Sequence, residues 1–404
     1  MVRRLVLLSL LILMGCGEIA NAPAGGAAAR FAGNRSGSTR LGTIFTVSTS
    51  GQERVIYRFN NLRADRGDGA NPYAGLTNLN GTLYGTTLLG TSAGGTYNGT
   101  AFSVSATGSE RLLHIFGIGL DGAYPYAGLI ALNGKLYGTT QYGGAYERGT
   151  VFELNPVTGT ERILYSFPAN ASPQAALTVV NGTLYGTASG GGTGCGSVFS
   201  ITTAGKLRTL YEFTCKSNGA FPHAGLLALN GVLYGTTTEG GKSGPCCGTI
   251  FAVNLSSGKE TQLHIFAGTP DGSDPFGTFI AVGGLLYGTT QQGGGGGHGS
   301  VYSVTPSGTV NVVYSFGGGT DGELPYSGVT WYKGRLYGTT PYGGGTTCSY
   351  YGTGCGTVYE VSRSGNEKVL YRFAGGTDGA NPFGGLTALN GTLYGTTYYG
   401  GAER

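Results

Sequence analysis

The residues best suited to chemistry recur at equivalent places along the chain instead of gathering in one segment. An Asp-Gly pair occurs five times, Asn218 replaces the aspartate in a sixth copy, and a proline followed by an aromatic residue comes shortly after most of them. The aspartates are Asp68, Asp121, Asp271, Asp321 and Asp378, and the pairs are Pro72-Tyr73, Pro125-Tyr126, Pro275-Phe276, Pro325-Tyr326 and Pro382-Phe383. One interpretation is a ring of carboxylates for Ca²⁺ or sugar hydroxyls, with aromatic rings for stacking.

The same letters also have a purely structural interpretation. Asp-Gly favours an Asx-type turn, and proline fixes the bend that follows. One carboxylate per copy falls short of the six to eight oxygens that Ca²⁺ prefers. A residue that recurs in every copy is expected to stabilise the repeat unit, so the pattern favours the structural interpretation.

Specific recognition is better sought where the copies differ. The most distinctive segment is "TTCSYYGTGC", residues 346–355, in which Tyr350 and Tyr351 stand between two cysteines. His298 lies in a glycine-rich loop, His223 replaces an aromatic residue of the repeated pair, and Tyr142 belongs to the loop "QYGGAYER". These five residues are the candidate ligand-binding residues. The segment "SPQAAL", residues 172–177, has lost both the Asp-Gly and the aromatic residue.

Six cysteines follow the N-terminal segment, and all lie in or beside loops. They are Cys195, Cys215, Cys246, Cys247, Cys348 and Cys355. An even number in an exported chain predicts disulfides. Cys348 with Cys355 is the preferred pair, and the remaining four allow three pairings that the sequence does not separate. A zinc site is the alternative, but no CxxC spacing supports it.

Catalytic chemistry finds little support in the sequence. There are four histidines, and His114 and His264 occupy a strand position held by tyrosine in other copies. An extracellular hydrolase or lyase needs a histidine or acids that converge on one cleft. We predict no catalytic residue, no metal and no cofactor.

One phrase, Leu-Tyr-Gly-Thr, recurs seven times and defines the architecture. Its tyrosines are Tyr84, Tyr137, Tyr185, Tyr234, Tyr287, Tyr337 and Tyr394, 48 to 57 residues apart. In the second copy, strands are predicted over 127–132, 135–140, 149–154 and 162–167, with the hairpin turn Asn133-Gly134 between the first two. A period near 50 residues indicates propeller blades or a solenoid.

The strands are apolar on both alternating faces, so both faces must be covered. Four-stranded sheets packed around an axis satisfy this, whereas solenoid coils are shorter. The chain starts with a third and a fourth strand and ends with a first and a second. We therefore predict an all-β, seven-bladed propeller over 41–404, whose last blade is closed by both chain ends.

Composition agrees with this fold. The chain has 404 residues with 81 glycines, 40% hydrophobic and 11% charged residues, and a net charge of +4. Aromatic residues are too plentiful for a disordered chain. Because Lys and Arg form no cluster, nucleic-acid binding is not expected.

The N-terminus "MVRRLVLLSLLILMGC" has two arginines, a short apolar run and a small residue before Cys16. This is typical of a secretory signal. "LMGC" resembles the lipobox of bacterial lipoproteins, which predicts a signal peptide over 1–15 and a lipidated Cys16. Residues 16–40 would then be a flexible tether to the outer membrane, on its periplasmic or surface side.

The repeated "LYGTT…GG…GTVF" and "LYxF" resemble the GloVer family of tandem-repeat proteins, described as choice-of-anchor. The resemblance covers nearly all of 41–404, and a lipobox is one anchor such a family would use. It implies no established activity. The blade order is also kelch-like, although the kelch tryptophan is missing and Trp331 is the single tryptophan.

We therefore expect a monomeric, lipid-anchored binding module of the bacterial cell envelope. It would recognise a glycan, peptide or protein through the face that carries the longer loops. The alternatives are a polysaccharide-active hydrolase or lyase and a purely structural envelope protein.

Overall fold

A computed structural model describes residues 41–60, 67–90, 98–117, 120–168, 171–191, 194–215, 218–241, 247–348 and 354–401. All of them belong to one compact unit, Thr39–Arg404. This part of the chain contains no helix, and hence no helix long and apolar enough to cross a membrane. Cys16, Cys246, Tyr350 and Tyr351, together with the signal and tether segments, lie outside the described residues.

Seven four-stranded antiparallel sheets form a β-propeller, as the sequence predicts. First strands of neighbouring blades lie against one another around the axis. In chain order, the strands of blades 1 to 6 are Thr77–Leu79, Thr82–Thr87, Thr100–Val104 and Glu110–Ile115; Ile130–Leu132, Lys135–Thr140, Thr150–Leu154 and Glu161–Ser166; Thr178–Val180, Thr183–Ala188, Ser197–Ile201 and Leu207–Glu212; Leu227–Leu229, Val232–Thr237, Thr249–Asn254 and Glu260–Ile265; Ile280–Val282, Leu285–Thr290, Ser300–Val304 and Val310–Ser315; Thr330–Tyr332, Arg335–Thr340, Thr357–Val361 and Glu367–Arg372.

Blade 7 joins the two ends of the described chain, as predicted. Thr387–Leu389 and Thr392–Thr397 supply its first two strands, and Thr43–Val47 and Glu53–Arg58 supply its last two. The hydroxyls of Thr43 and Thr397 lie 2.8 Å apart. The ends therefore close the ring of blades through backbone pairing, which removes two free strand edges.

The predicted hairpin between first and second strands is present at Asn133-Gly134. Both residues have positive φ, 51° and 73°, as a two-residue turn of this kind requires. The first strand is shorter than predicted, however: it covers Ile130–Leu132, not 127–132. Residues 127–129 belong to the segment that brings the chain to the axis.

The residues of the repeated Leu-Tyr-Gly-Thr-Thr phrase pack the interior of the blades. Leu136 is fully buried in the core between blades 1 and 2. A Cβ at Gly138 would lie 2.5 Å from the ring of Phe152. The glycine therefore makes room for the aromatic residue of the third strand, which the dense interior could not otherwise hold.

The two threonines of the phrase connect strands and blades. Thr139 Oγ1 donates to the carbonyl of Ala175 in the next blade at 3.0 Å. Thr140 and Thr150 form a buried hydroxyl pair at 2.8 Å within the blade. Buried polar groups of this kind must be paired, so the motif is structural throughout.

The two faces of the propeller differ in their connections. One carries the short turns that follow first and third strands. The other, which we call the long-loop face, carries the loops between second and third strands and the lead-ins to each first strand. Two of these loops form small ribbons with a lead-in, Gly122–Ala123 with Tyr142–Gly143 and Gly322–Glu323 with Tyr342–Gly343.

Two disulfides are formed in the described chain, Cys195–Cys215 and Cys348–Cys355. The first connects the start of a third strand to the end of the fourth strand in blade 3, and Cα atoms are 5.2 Å apart in both. Cys247 is buried. Because disulfides persist in oxidising compartments, they indicate an extracellular or periplasmic protein.

The repeated aspartates stabilise the blades through hydrogen bonds. Each accepts a hydrogen bond from, or pairs with, the tyrosine or histidine of a fourth strand: Tyr314 Oη donates to Asp321 at 2.8 Å and Tyr371 Oη to Asp378 at 3.0 Å. Asp321 also accepts from the backbone N–H of Gly317 at 2.9 Å and of Gly322 at 2.6 Å. The carboxylate therefore fixes the exit from the outer strand.

Four glutamates at the start of outer strands face these pairs from the neighbouring blade. Burial, followed by a nearby aspartate, raises the pKa of Glu53, Glu110, Glu161 and Glu367 to about 7. One carboxyl oxygen of each is buried without a hydrogen-bond partner in the described part of the chain. Glu53 faces Asp378, Tyr371 and Arg58; Glu110 faces Asp68 and Tyr57; Glu367 faces Asp321, Tyr314, Glu360 and Arg372.

Stability should therefore fall as pH rises from 5.5 to 8. With a raised pKa these carboxyls bind protons more tightly in the folded state than in the unfolded state, so their stabilising effect is lost as pH passes about 7. His223, whose pKa burial lowers to about 4, has the opposite slope below pH 6.5, but it is one group against four glutamates. Thermal melts across this range should show a decreasing Tm.

The matched variant replaces Glu53, Glu110 and Glu367 with glutamine, which keeps the shape and removes three of the four titrations. Its Tm should change less between pH 5.5 and 8 than the parent Tm. A parent Tm that rises over this range would contradict the assignment.

Candidate functional site

The seven lead-ins bring one side chain each to the axis of the propeller. In every lead-in a proline precedes that side chain. The seven residues are Tyr73, Tyr126, Gln174, His223, Phe276, Tyr326 and Phe383, and all line one cavity. We call them the channel ring.

The backbone around each proline is held from both sides. In the lead-in to blade 2, a Cβ at Gly99 would lie 2.5 Å from Pro125 Cδ. The residue before the proline, Tyr124, donates its N–H to Asn98 O at 2.7 Å and accepts from Gln141 N–H at 3.1 Å. These contacts to the two neighbouring blades fix the direction in which Tyr126 points.

The residue before each of the seven prolines has a left-handed backbone, with φ between 45° and 58°. These residues are Asn71, Tyr124, Ser172, Phe221, Asp274, Leu324 and Asn381. Asparagine tolerates this conformation, but tyrosine, phenylalanine and leucine adopt it at a cost. Such strain persists only where the surroundings impose it, and it is common at functional sites.

Six of the ring side chains form a continuous aromatic arc. Its order is Tyr126, Tyr73, Phe383, Tyr326, Phe276 and His223, with neighbouring ring centroids 4.9 to 5.4 Å apart. Tyr73 stacks on Phe383, and His223 stacks on Phe276. Gln174 of blade 3 stands where the arc is open, so the site has an aromatic wall and one amide.

The arc borders an open cavity of about 380 Å³, near the lower end of the range for small-molecule sites. Small residues follow each ring position and let neighbouring lead-ins touch. A Cβ at Gly328, for example, would lie 2.1 Å from Thr278 O. The described residues that line the cavity include no aspartate, glutamate, lysine or arginine.

His223 is the single imidazole of the channel ring. Its Nδ1 is buried and has no hydrogen-bond partner among the described residues. Burial lowers the pKa of the imidazole to about 4. The side chain is therefore neutral at physiological pH and offers one donor and one acceptor.

Tyr73 and Tyr126 remain protonated over the whole physiological range. Burial, followed by neighbouring tyrosine hydroxyls, raises the pKa of Tyr126 to about 12 and raises the pKa of Tyr73 well above its usual value. Tyr142 and Tyr124 are the neighbours of Tyr126. Protonated phenols can donate a hydrogen bond to a ligand oxygen.

The predicted ligand-binding residues do not all come together. His223 is a member of the channel ring, and Tyr142 lies beside Tyr126 at its edge. His298 does not line the cavity: its Nδ1 lies 3.8 Å from Glu323 Oε2, and its side chain is 41% exposed. Tyr350 and Tyr351 lie outside the described residues.

The sequence favours a purely structural role for the proline-aromatic pairs, which supply five of the seven residues of the channel ring. The repeated proline-aromatic pair was the available signal, but it does not say whether the ring points along the blade or into the channel. Gln174 was missed as a site residue. Alignment of Pro173 with the other lead-in prolines would have placed Gln174 at a ring position, as the sequence already does for His223.

The family model of the Gloeobacter/Verrucomicrobia repeat matches residues 31–195, 168–351 and 246–404. The protein therefore belongs to the Gloeobacter/Verrucomicrobia repeat family, as the repeated phrase predicts. No curated protein matches the chain in sequence.

Solved structures match the fold. A candidate 6-phosphogluconolactonase from Bacteroides uniformis is 14% identical, with a TM-score of 0.50 over 82% of this chain and 95% of that one. The extracellular domain of a candidate hybrid two-component system from B. thetaiotaomicron is 11% identical, with a TM-score of 0.51 over 85% of this chain and 39% of that one. At these identities the likeness shows the propeller fold alone.

Proposed function

We propose that the protein is a binding module of the cell envelope that recognises an uncharged glycan in the channel ring. The observation that carries this proposal is the convergence of six aromatic side chains and one amide on a single cavity. Ligand sites of this type combine a mostly apolar wall with a few placed polar groups.

The wall suits a sugar ring. The C–H faces of a pyranose are apolar, and aromatic side chains provide flat surfaces on which they pack. Tyr73 and Phe383 stack with an interplanar angle of 16°, and His223 and Phe276 stack with an angle of 15°. The arc is already assembled by these contacts, so little ordering cost remains to be met when a ligand binds.

The polar groups suit sugar hydroxyls. Gln174 offers an amide at the gap in the arc, and His223 offers a neutral imidazole. Thr278 Oγ1 accepts from the Gly225 N–H at 3.0 Å, which leaves its own proton for a ligand. Because the described lining contains no carboxylate, lysine or arginine, a neutral sugar fits better than a uronate or a phosphorylated sugar.

A glycan array with purified protein tests the proposal, with peptides as a second set of probes. We expect binding of neutral hexose or pentose oligosaccharides, and a measurable Kd by calorimetry for the best of them. Binding of peptides alone would contradict the proposal. No binding by either set would favour a purely structural role in the envelope.

A second candidate function is hydrolysis or lysis of a polysaccharide. Asp274 directly precedes the Pro275-Phe276 step, and burial followed by Glu239 raises its pKa to about 6. A carboxyl with such a pKa suits a general acid. Release of reducing sugar by the wild-type protein, lost in Asp274→Asn, would establish this function in place of simple binding.

The lipid anchor at Cys16 is part of the proposal, and it rests on the "LMGC" lipobox. One acyl chain gives only marginal membrane binding, and stable anchoring needs a second lipid chain or signal. A lipobox cysteine is the residue that would carry the lipid chains. In Cys16→Ser the protein should move from the membrane fraction to the soluble fraction. Continued membrane association of that variant would count against lipidation.

A further inference from the structure

A second cluster of chemically capable side chains lies at the outer edge, between blades 1 and 2. His114 belongs to the fourth strand of blade 1, Asp121 to the lead-in, and Glu161 to the fourth strand of blade 2. One possible ligand atom from each lies within 4.8 Å of the other two. The channel ring does not use any of them.

The carboxylate of Asp121 is already oriented. Its Oδ2 lies 2.8 Å from His114 Nε2, and its Oδ1 accepts from the Gly122 N–H at 2.6 Å. Glu161 faces this pair with Oε1 buried and without a hydrogen-bond partner among the described residues. A buried, unpaired carboxyl oxygen is costly. Glu53, Glu110, Glu260 and Glu367 have the same unpaired oxygen within the described residues, so what distinguishes this cluster is the histidine beside the two carboxylates.

Comparison with the other blades shows what is particular here. The position of His114 is held by tyrosine in three blades that also have the aspartate and the glutamate, and these tyrosines are Tyr57, Tyr314 and Tyr371. Tyrosine can donate its proton to a carboxylate, but neutral imidazole also offers a nitrogen lone pair to a metal.

The other histidine at this position lacks a third partner. His264 Nε2 lies 2.8 Å from Asp271 Oδ2, but Val310 occupies the place that corresponds to Glu161. Within the described residues, the grouping of one imidazole and two carboxylates is found at His114 alone.

We propose that His114, Asp121 and Glu161 bind a divalent transition-metal ion, with Zn²⁺ the best match to one nitrogen and two oxygen donors. Histidine nitrogen and carboxylate oxygen bind zinc at about 2.0 to 2.2 Å in a tetrahedral arrangement. Donor atoms around one ion are then about 3.3 Å apart, given those bond lengths. The His114–Asp121 pair must open slightly, and Glu161 must move in.

The proton balance is simple. The proton that Nε2 shares with Asp121 moves to Nδ1, so that Nε2 presents its lone pair to the ion. A proton held by the Glu161 carboxyl is released to solvent when that carboxylate binds the ion. The side chain of His114 is 20% exposed, so the ion can enter from solvent, and water supplies the fourth ligand. Because the ligands come from two blades, the bound ion would connect blades 1 and 2.

The test uses tag-free protein freed of metal with EDTA and then dialysed. Co²⁺ is titrated by its visible absorption and Zn²⁺ by calorimetry, and Tm is recorded with and without each ion. The variants are His114→Tyr, which recreates the tyrosine triad of three other blades and should fold, and Glu161→Gln. The matched control is His264→Tyr, which removes the histidine that lacks a third partner.

We expect one equivalent of ion to bind the wild-type protein and to raise its Tm. Affinity should fall at least tenfold in His114→Tyr and in Glu161→Gln, and it should be unchanged in His264→Tyr. Absence of binding to the wild-type protein would overturn the proposal. So would equal binding by His114→Tyr, which would place the ion elsewhere.

Discussion

Deletion of residues 384–404 should abolish cooperative folding of the whole propeller. The deletion removes the strands Thr387–Leu389 and Thr392–Thr397 of blade 7 and leaves Thr43–Val47 with an unpaired edge. It also removes Leu386, Leu389, Leu393 and Tyr394, each at most 8% exposed. At about 1.5 to 3 kcal/mol for each large apolar side chain, the loss is comparable to the entire stability of an ordinary domain.

The inter-blade hydrogen bonds make the loss global. Thr396 Oγ1 donates to Ala74 O of blade 1 at 2.9 Å, and Thr339 Oγ1 of blade 6 donates to Gly384 O at 2.9 Å. Without residues 384–404, blades 1 and 6 both lose a neighbour. A truncated protein that still melts cooperatively at the parent Tm would contradict closure through blade 7.

A circular permutant is the matched control. The ends of the described chain are adjacent, since Gly42 N–H donates to Gly400 O at 3.1 Å. Joining them with a short linker and opening the chain at the exposed turn before Ser257 keeps every strand. This permutant should retain a cooperative melt. That result would show that the deletion acts by removing two strands and not by changing where the chain ends lie.

Loss of the stacked pair in the channel ring should have the second-largest effect, on binding instead of folding. In the double variant Tyr73→Ala, Phe383→Ala the aromatic arc is broken at its centre. We expect the Kd for the best array glycan to rise at least tenfold, which corresponds to about 1.4 kcal/mol. Calorimetry with that oligosaccharide measures the change.

Two comparisons make this result specific. Tyr146→Ala changes an aromatic side chain on the long-loop face that is 58% exposed and does not line the cavity, so its Kd should equal that of the wild-type protein. The Tm of the double variant shows whether the propeller is still folded. Unchanged glycan affinity in a folded double variant would remove the channel ring as the binding site.

The blades could be predicted because each depends on local signals. Asn133-Gly134 fixes a hairpin, and the threonines and leucine of the repeated phrase fix the pairing of strands. The incomplete copies at the two ends determine the count, and only seven blades use every strand. These are short-range sequence patterns, and they recur often enough to predict the blades from the sequence alone.

The site could not be predicted in the same way, because it depends on the direction in which each side chain of a lead-in points. Tyr73 and Asp68 belong to the same repeated segment, yet Asp68 pairs with Tyr57 at the outer strand and Tyr73 points to the axis. A left-handed residue before the proline produces that change of direction, and side-chain periodicity does not encode it. The Cys195–Cys215 pairing likewise depends on which strand ends are adjacent in blade 3.

The crystal structure of the protein with its best array glycan tests the central claim most directly. We expect a sugar ring inside the channel ring, packed on the arc between Tyr73 and His223, with hydroxyls hydrogen-bonded to the Gln174 amide. A glycan bound on the short-turn face or along the outer strands, with the cavity unchanged, would contradict it.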